Sequence, residues 1–185
     1  MNNSERTVTR SFRVNQEAFE ALKEDAERKE ITVNTLVNQL FLAHKDFDRY
    51  FERMGMIKIS VATFNLLLAA VSPDRISDVG RDAGMDAPKA IIIAKDGVLS
   101  FQTVRGFLKM MSQYANLFEY NEVESPDGRS TILTLMHGLG QNGSLFLVNY
   151  VRSIFLGIGQ EPKISSSEHS VIVEIPQGQL KSRSQ

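Results

Sequence analysis

Cysteine is absent from the 185 residues. That excludes disulfides, thiolate zinc sites, thiol nucleophiles and cysteine-ligated iron–sulfur clusters. Tryptophan is absent as well, and histidine occurs only at His44, His137 and His169. Three isolated histidines give no HxxxH-type ligand spacing, so no metal and no cofactor is expected. A charge excess of either sign is also missing, since Lys+Arg 21 stand against Asp+Glu 22. This excludes a global basic field for nucleic acid and an acidic disordered tail protein. Long hydrophobic runs are lacking too. The longest, such as 64–71, fall far short of a bilayer span, and the polar start Met-Asn-Asn-Ser-Glu-Arg lacks the apolar core of a signal peptide. The expectation is a soluble cytoplasmic protein with no membrane partner.

What is present is 42% hydrophobic residues, enough to bury a core in one large domain or two small ones. Residues 7–14 alternate, with Val8, Phe12 and Val14 on one face and Thr7, Thr9, Ser11 and Arg13 on the other. Period two with β-branched residues predicts a strand with one buried face. Arg10 interrupts the apolar face and places the strand near an edge. Asn15 caps a following helix in which Ala18, Phe19, Leu22 and Ala26 recur at helical spacing opposite an acidic face. Ile31 and Thr32 form a break, with Thr32 as the second cap. Leu36, Val37, Leu40, Phe41 and His44 then continue with a period near 3.6, extended by Phe47 and Phe51 to about Arg53. His44 reads as a partly buried packing residue.

One strand and two helices over about 45 residues make too small a core for a stable monomer. With no cysteine and little histidine, association is the remaining solution. Pairing strand 7–14 with its twin gives a two-stranded antiparallel ribbon, with a dimer core of Val8, Phe12, Val14, Leu22, Leu36, Val37 and Leu40. Such a ribbon fits the major groove of B-DNA, where alternate side chains reach base edges. The start of the second helix, near Thr32, Val33 and Asn34, presents amide groups that attract phosphate.

The stretch FRVNQEAFEALKEDAERKEITVNTLVNQL resembles the ribbon-helix-helix DNA-binding domains of the MetJ/Arc/CopG type, over about residues 7–50. The resemblance rests on the alternating strand ending in Arg13, the amphipathic helix with Leu22 and Ala26, and Thr32 to Leu36 opening the second helix. It implies base reading by Thr9, Ser11 and Arg13, and phosphate clamping by Thr32, Val33 and Asn34. Arg6 and Arg10 add cationic contacts to phosphate. Two positions depart from the family pattern. Asn15 stands where many members carry Pro or Ser, and Glu30 or Ile31 stands where many carry Gly. The alternative for this module is a dimerisation clip that touches no DNA.

The expected domains are 1–53 for DNA binding and dimerisation, 56–176 for sensing or oligomerisation, and a flexible tail at 177–185. The fold class is α+β, with helices on an antiparallel sheet in the second domain. Helices are expected over about 59–71, 73–84, 100–115 and 143–158. Residues 90–94 read as a short apolar run. Strands are expected over about 117–124 and 130–137, around a turn at 125–128, and over 170–175 paired with 163–166, with the last stretch βαβ-like.

Gly138, Gly140 and Gly143 follow a strand and precede a helix, in the order of a dinucleotide fingerprint, with Glu161 18 residues beyond. Only 42 residues follow Gly143, too few for a doubly wound sheet. The expectation is a glycine-rich turn whose helix start either holds an anion beside His137 or caps itself with Asn142 or Ser144. His169 is expected to be exposed in a hairpin. Asp74, Asp78, Asp82 and Asp86 recur every four residues and read as a solvated helical face; EF-hand spacing is absent. Met54, Met56, Met85, Met110, Met111 and Met136 read as core filler, with pocket lining as the alternative.

The stretch TILTLMHGLGQNGSLFLVNYVRSIF through SVIVEI resembles ligand-sensing α/β domains of prokaryotic regulators, with no residue carried over. Three functions are weighed. The first is a transcriptional regulator, of repressor type, binding double-stranded DNA as a homodimer or as tetramers on adjacent half-sites, with a small-molecule or protein effector at the second domain. The second is an antitoxin whose C-terminal part binds a partner protein. The third is an enzyme that uses the first module only to dimerise. No catalytic constellation supports the third, so no catalytic residue is named.

Overall fold

The computed structural model describes residues 7–176. The chain forms two compact units that meet between Lys45 and Asp46. Arg6 and the tail from 177 onward lie outside the described residues.

In the first unit, residues 7–15 have no regular secondary structure and are exposed. The strand expected over 7–14 is not formed in the single chain, because a lone strand has no ladder to join. Helix α1 (Gln16–Arg28) starts where Asn15 Oδ1 accepts from the Ala18 amide at 3.2 Å. Helix α2 (Val33–Ala43) starts where Thr32 Oγ1 accepts from the Thr35 amide at 3.1 Å. Both caps are the expected ones. Between the helices Glu30 has φ 54°, and the amides of Glu30 and Ile31 return to the carbonyls of Glu27 and Ala26, both at 3.0 Å. This is a Schellman ending with glutamate at the left-handed position that favours glycine.

Helical backbone continues as a π-helical turn (His44–Asp48) and then α3 (Arg49–Arg53). The boundary expected after Arg53 therefore lies too late. Phe47 and Tyr50 are buried in the core of the second unit, with Phe51 packed against it. Period alone assigns these aromatics to the preceding helix but cannot say which core receives them. His44 is exposed, contrary to the packing role expected for it.

The second unit is α+β. After α4 (Val61–Ala69) come α5 (Pro73–Met85), α6 (Ala87–Asp96), α7 (Phe101–Met110), a π-helical turn (Met111–Ala115), β1 (Glu119–Glu124), β2 (Ser130–Met136), α8 (Gly140–Leu156), β3 (Lys163–Ser166) and β4 (Ser170–Pro176). The strands form one antiparallel sheet in the order β1-β2-β4-β3. Because β2 and β4 run antiparallel, the last stretch is not a βαβ unit. Leu133 pairs with Val173, Leu135 with Val171 and Thr131 with Ile175, which sets the apolar residues of both strands on one face. All five of those apolar side chains are fully buried. Helix α8 lies against β3 and β4 through a face that includes Leu147, Val151 and Phe155, and α5 lies on α8.

The α5–α8 contact depends on two glycines. A Cβ on Gly80 would sit 2.5 Å from the Phe146 carbonyl oxygen, and one on Gly84 would sit 2.8 Å from Ser153 Cβ and closer still to the Tyr150 carbonyl. The helices approach at backbone distance there, which only glycine permits.

Candidate functional site

The residues expected to read bases, Thr9, Ser11 and Arg13, are all exposed on the segment before α1. The Arg10 guanidinium donates to the Thr9 carbonyl at 3.4 Å. The apolar residues that alternate with them are equally exposed: Val8 is 71% accessible and Phe12 70%. Phe12 meets only the edge of Phe41, with ring centroids 6.3 Å apart. Of the expected dimer core, Leu36 is buried, Leu22 and Val37 are half-buried, and Val14 and Leu40 are exposed. Among the described residues of this unit, Ala26 and Leu36 are the only buried hydrophobic side chains.

At the α2 start Thr32 and Asn34 are exposed and Val33 is half-buried. The first intrahelical bond runs from the Leu36 amide to the Thr32 carbonyl at 3.0 Å, so the amides of Val33 and Asn34 precede the ladder. No acidic residue occupies this first turn. The acidic side chains of α1 lie in a different part of the chain, at Glu17, Glu20, Glu24, Asp25 and Glu27.

In the second unit, the glycine turn is a structural joint. His137 is buried at the end of β2. Its Nδ1 accepts the Leu139 amide at 3.3 Å, and its Nε2 lies 3.1 Å from Ser144 Oγ. The Ser144 hydroxyl donates to the Ser167 carbonyl, so the ring is neutral with its proton on Nε2, donating to Ser144. Ser144 is fully buried and its proton points at a carbonyl, which is the wrong geometry for a nucleophile. Burial, with a smaller contribution from His169, holds the His137 pKa below its ordinary value. The expected self-capping of α8 does not occur. Ser144 is turned to His137 and Ser167, and Asn142 donates instead to the Leu68 carbonyl at 3.1 Å. The Gly138 carbonyl accepts from Asn65 at 3.1 Å. Gly140 and Gly143 lie in the first turn of α8, where Gly143 is pressed against Leu139.

A second polar cluster has no precursor in the sequence reading. Arg105 and Lys109 of α7 meet Tyr120 and Glu122 of β1. The Arg105 guanidinium is paired with the Glu122 carboxylate, Lys109 Nζ is 3.3 Å from it, and the Tyr120 hydroxyl donates to Glu122 Oε2 at 2.8 Å. Burial pushes the Glu122 carboxyl up, but the Tyr120 hydroxyl and the Arg105 guanidinium outweigh it and hold the pKa below the usual value. The cluster is an ion-pair network that ties α7 to the edge strand, with the buried Arg105 Nε left without a hydrogen-bond partner. Its two halves lie on consecutive elements, α7 and β1, and the turn between them, not a motif spacing, brings them together.

His169 is exposed, as expected. Of the aspartates, Asp78 and Asp82 lie beside Arg81, at 2.6 and 3.7 Å, on a largely exposed face of α5. Among the described residues there is no cluster of three or more metal-ligating side chains, and no helix is long and apolar enough to cross a membrane. Met110 and Met111 are core residues, whereas Met54, Met56, Met85 and Met136 are exposed. No protein-family model matches the chain, and no curated protein matches it.

Proposed function

We propose that the chain is a sequence-specific DNA-binding transcriptional regulator. Two copies pair the segment 7–14 into an antiparallel ribbon that enters the major groove, with Thr9, Ser11 and Arg13 at base edges. The backbone amides at Thr32, Val33 and Asn34 hold phosphate on either side, and Arg10 adds a cation. The second unit serves as the effector-sensing or oligomerising part.

One observation carries this reading. A unit of about 40 residues buries only Ala26 and Leu36, while Val8, Phe12, Val14, Leu40 and Phe41 stay exposed. Such a unit lacks the core it needs, and the missing cover has the alternation of a strand whose other face carries polar donors. Pairing buries the apolar row and turns Thr9, Ser11 and Arg13 outward in one step. No enzymatic role is proposed, since the Ser144–His137 pair is buried and oriented against nucleophilic attack.

The test is a comparison of two variants of the full chain on the preferred duplex and on an unrelated one. Arg13→Ala should cost about 1–3 kcal/mol of discrimination between the two duplexes. Asn34→Asp should weaken binding to both by a similar factor, because phosphate contacts carry no sequence information. Unchanged discrimination in Arg13→Ala would remove the ribbon from the recognition surface.

A further inference from the structure

In the second unit a cavity of about 420 Å³ opens between the π-helical turn and α3, the segment 54–60, and the turn after α7. Its floor is core: Phe47, Met111 and Leu139 are 6%, 9% and 5% exposed. Phe47 stacks on Phe51 at 3.9 Å and meets Tyr114 at 5.7 Å, so one wall is aromatic. The lip is apolar but open, with Ile57, Ile59 and Val61 at 83%, 46% and 45% exposure. Large apolar side chains gathered around a concavity and left in water are the usual mark of a binding site.

The charges of the lining also select the occupant. Asp48, Glu52 and Lys58 are the ionisable groups among the residues that line the cavity, apart from the Tyr114 phenol. Lys58 Nζ is 3.2 Å from Asp48 Oδ1, so the cation is already neutralised and Glu52 leaves the rim acidic. Two carboxylates against one exposed lysine leave the lining net negative, which disfavours a carboxylate or a phosphate, and burying an unpaired charge against aromatic rings is costly. At about 30 Å³ per water-sized group, 420 Å³ holds roughly a dozen non-hydrogen atoms. The nine residues after Pro176 contain one large apolar side chain, Leu180, which makes the chain's own tail a poor filler.

We propose that this cavity binds an uncharged lipophilic small molecule. The inference gives a chemical class to the effector in the function proposed above and rests on that reading only for the word effector. Its test uses no DNA, so either can fail without the other.

The test is titration of the full chain with the neutral probe 1-naphthylamine, which is small enough for the cavity, followed by fluorescence. Saturable binding of one probe per chain is expected. Ile59→Glu and Val61→Trp should each weaken it by about tenfold or more, one by placing a charge at the lip and the other by filling the mouth. Leu66→Glu, at an exposed position of α4 that does not line the cavity, should leave it unchanged. On the unmodified chain, decan-1-ol should displace the probe at a concentration about tenfold lower than decanoate, because only decanoate brings a charge. This arm holds even if a lip variant fails to fold. Absence of saturable binding would overturn the proposal. So would sensitivity to Leu66→Glu with indifference to both lip variants, or displacement by decanoate as effective as by decan-1-ol.

Discussion

Glu30 sits at φ 54° as the residue that ends α1, with both reverse-turn hydrogen bonds intact. A left-handed conformation costs an L-residue with a β-carbon about 1–2 kcal/mol, and glycine escapes that cost while losing more chain entropy on folding. Glu30→Gly is therefore expected to stabilise the chain by about 0.5–1 kcal/mol, read as a higher midpoint in urea unfolding. The absence of glycine at Glu30 and Ile31 is visible in the sequence, but the structure is needed to say that Glu30 is the strained one. His137 makes the opposite point. Its isolation in the sequence gives no hint that both ring nitrogens are engaged, because Ser144 arrives from α8, where its own hydroxyl is held by the Ser167 carbonyl of the β3–β4 turn. Its folded pKa lies below the ordinary 6.5, so between the two values the unfolded chain binds more protons and stability rises with pH. This contribution is complete above about pH 6.5 and is lost as pH falls through the folded pKa. In His137→Ala that pH dependence should flatten. Stability at pH 7.5 should fall by about 1–3 kcal/mol, because the Leu139 amide and Ser144 lose a buried partner. Urea midpoints from pH 5 to 7.5 check both effects.

At the scale of elements, helix starts and strand alternation were readable because their causes are local. Asn15 and Thr32 cap as expected, and β2 and β4 show the alternation that sets one face inward. Two further local signals move element bounds away from the expected ones. Residues 59–60 are not helical, because Ser60 caps α4 by accepting the Thr63 amide at 3.1 Å. The short run 90–94 is the middle of α6, framed by Pro88 near its start and Gly97 at φ 73° after its end. The approach of α5 to α8 was invisible, since Gly80 and Gly84 read as poor helix formers until the partner backbone is in view. Gly84→Ala should overpack that contact and destabilise the second unit by about 1–3 kcal/mol or more. Gly106, with open space beyond its Cβ position, supplies the control, and Gly106→Ala should be neutral or stabilising by up to about 1 kcal/mol. Thermal unfolding of the two variants checks the contrast.

At the scale of the molecule, the near-zero net charge argues only against binding driven by a field. Residues 1–53 hold 9 basic and 10 acidic side chains, yet the stretch 1–13 carries Arg6, Arg10 and Arg13 against Glu5 alone. In the proposed dimer that local polarity would suit a groove-reading arm and would neutralise few phosphates, so affinity on a single site should be modest and should fall with salt. Tandem dimers on adjacent half-sites would raise it. Phe47 and Tyr50 continue a helical period while packing into the core of the second unit, so periodicity does not mark where the two units divide. The cavity beside them was also hidden, since its lining comes from segments up to about 90 residues apart. If the exposed apolar row of the first unit is a dimer face, Phe12→Glu should shift the chain from dimer to monomer. Sedimentation equilibrium over a hundredfold concentration range checks this, and an unchanged dimer would relocate the interface to the second unit.

The most direct test of the central claim is selection of binding sites by the full chain from a pool of random duplexes. The ribbon account predicts enrichment of an inverted repeat, since two antiparallel strands related by a twofold axis read two half-sites, and loss of its guanine positions when the selection is repeated with Arg13→Ala. A pool that returns without an enriched motif, or the same motif selected by Arg13→Ala, would contradict it.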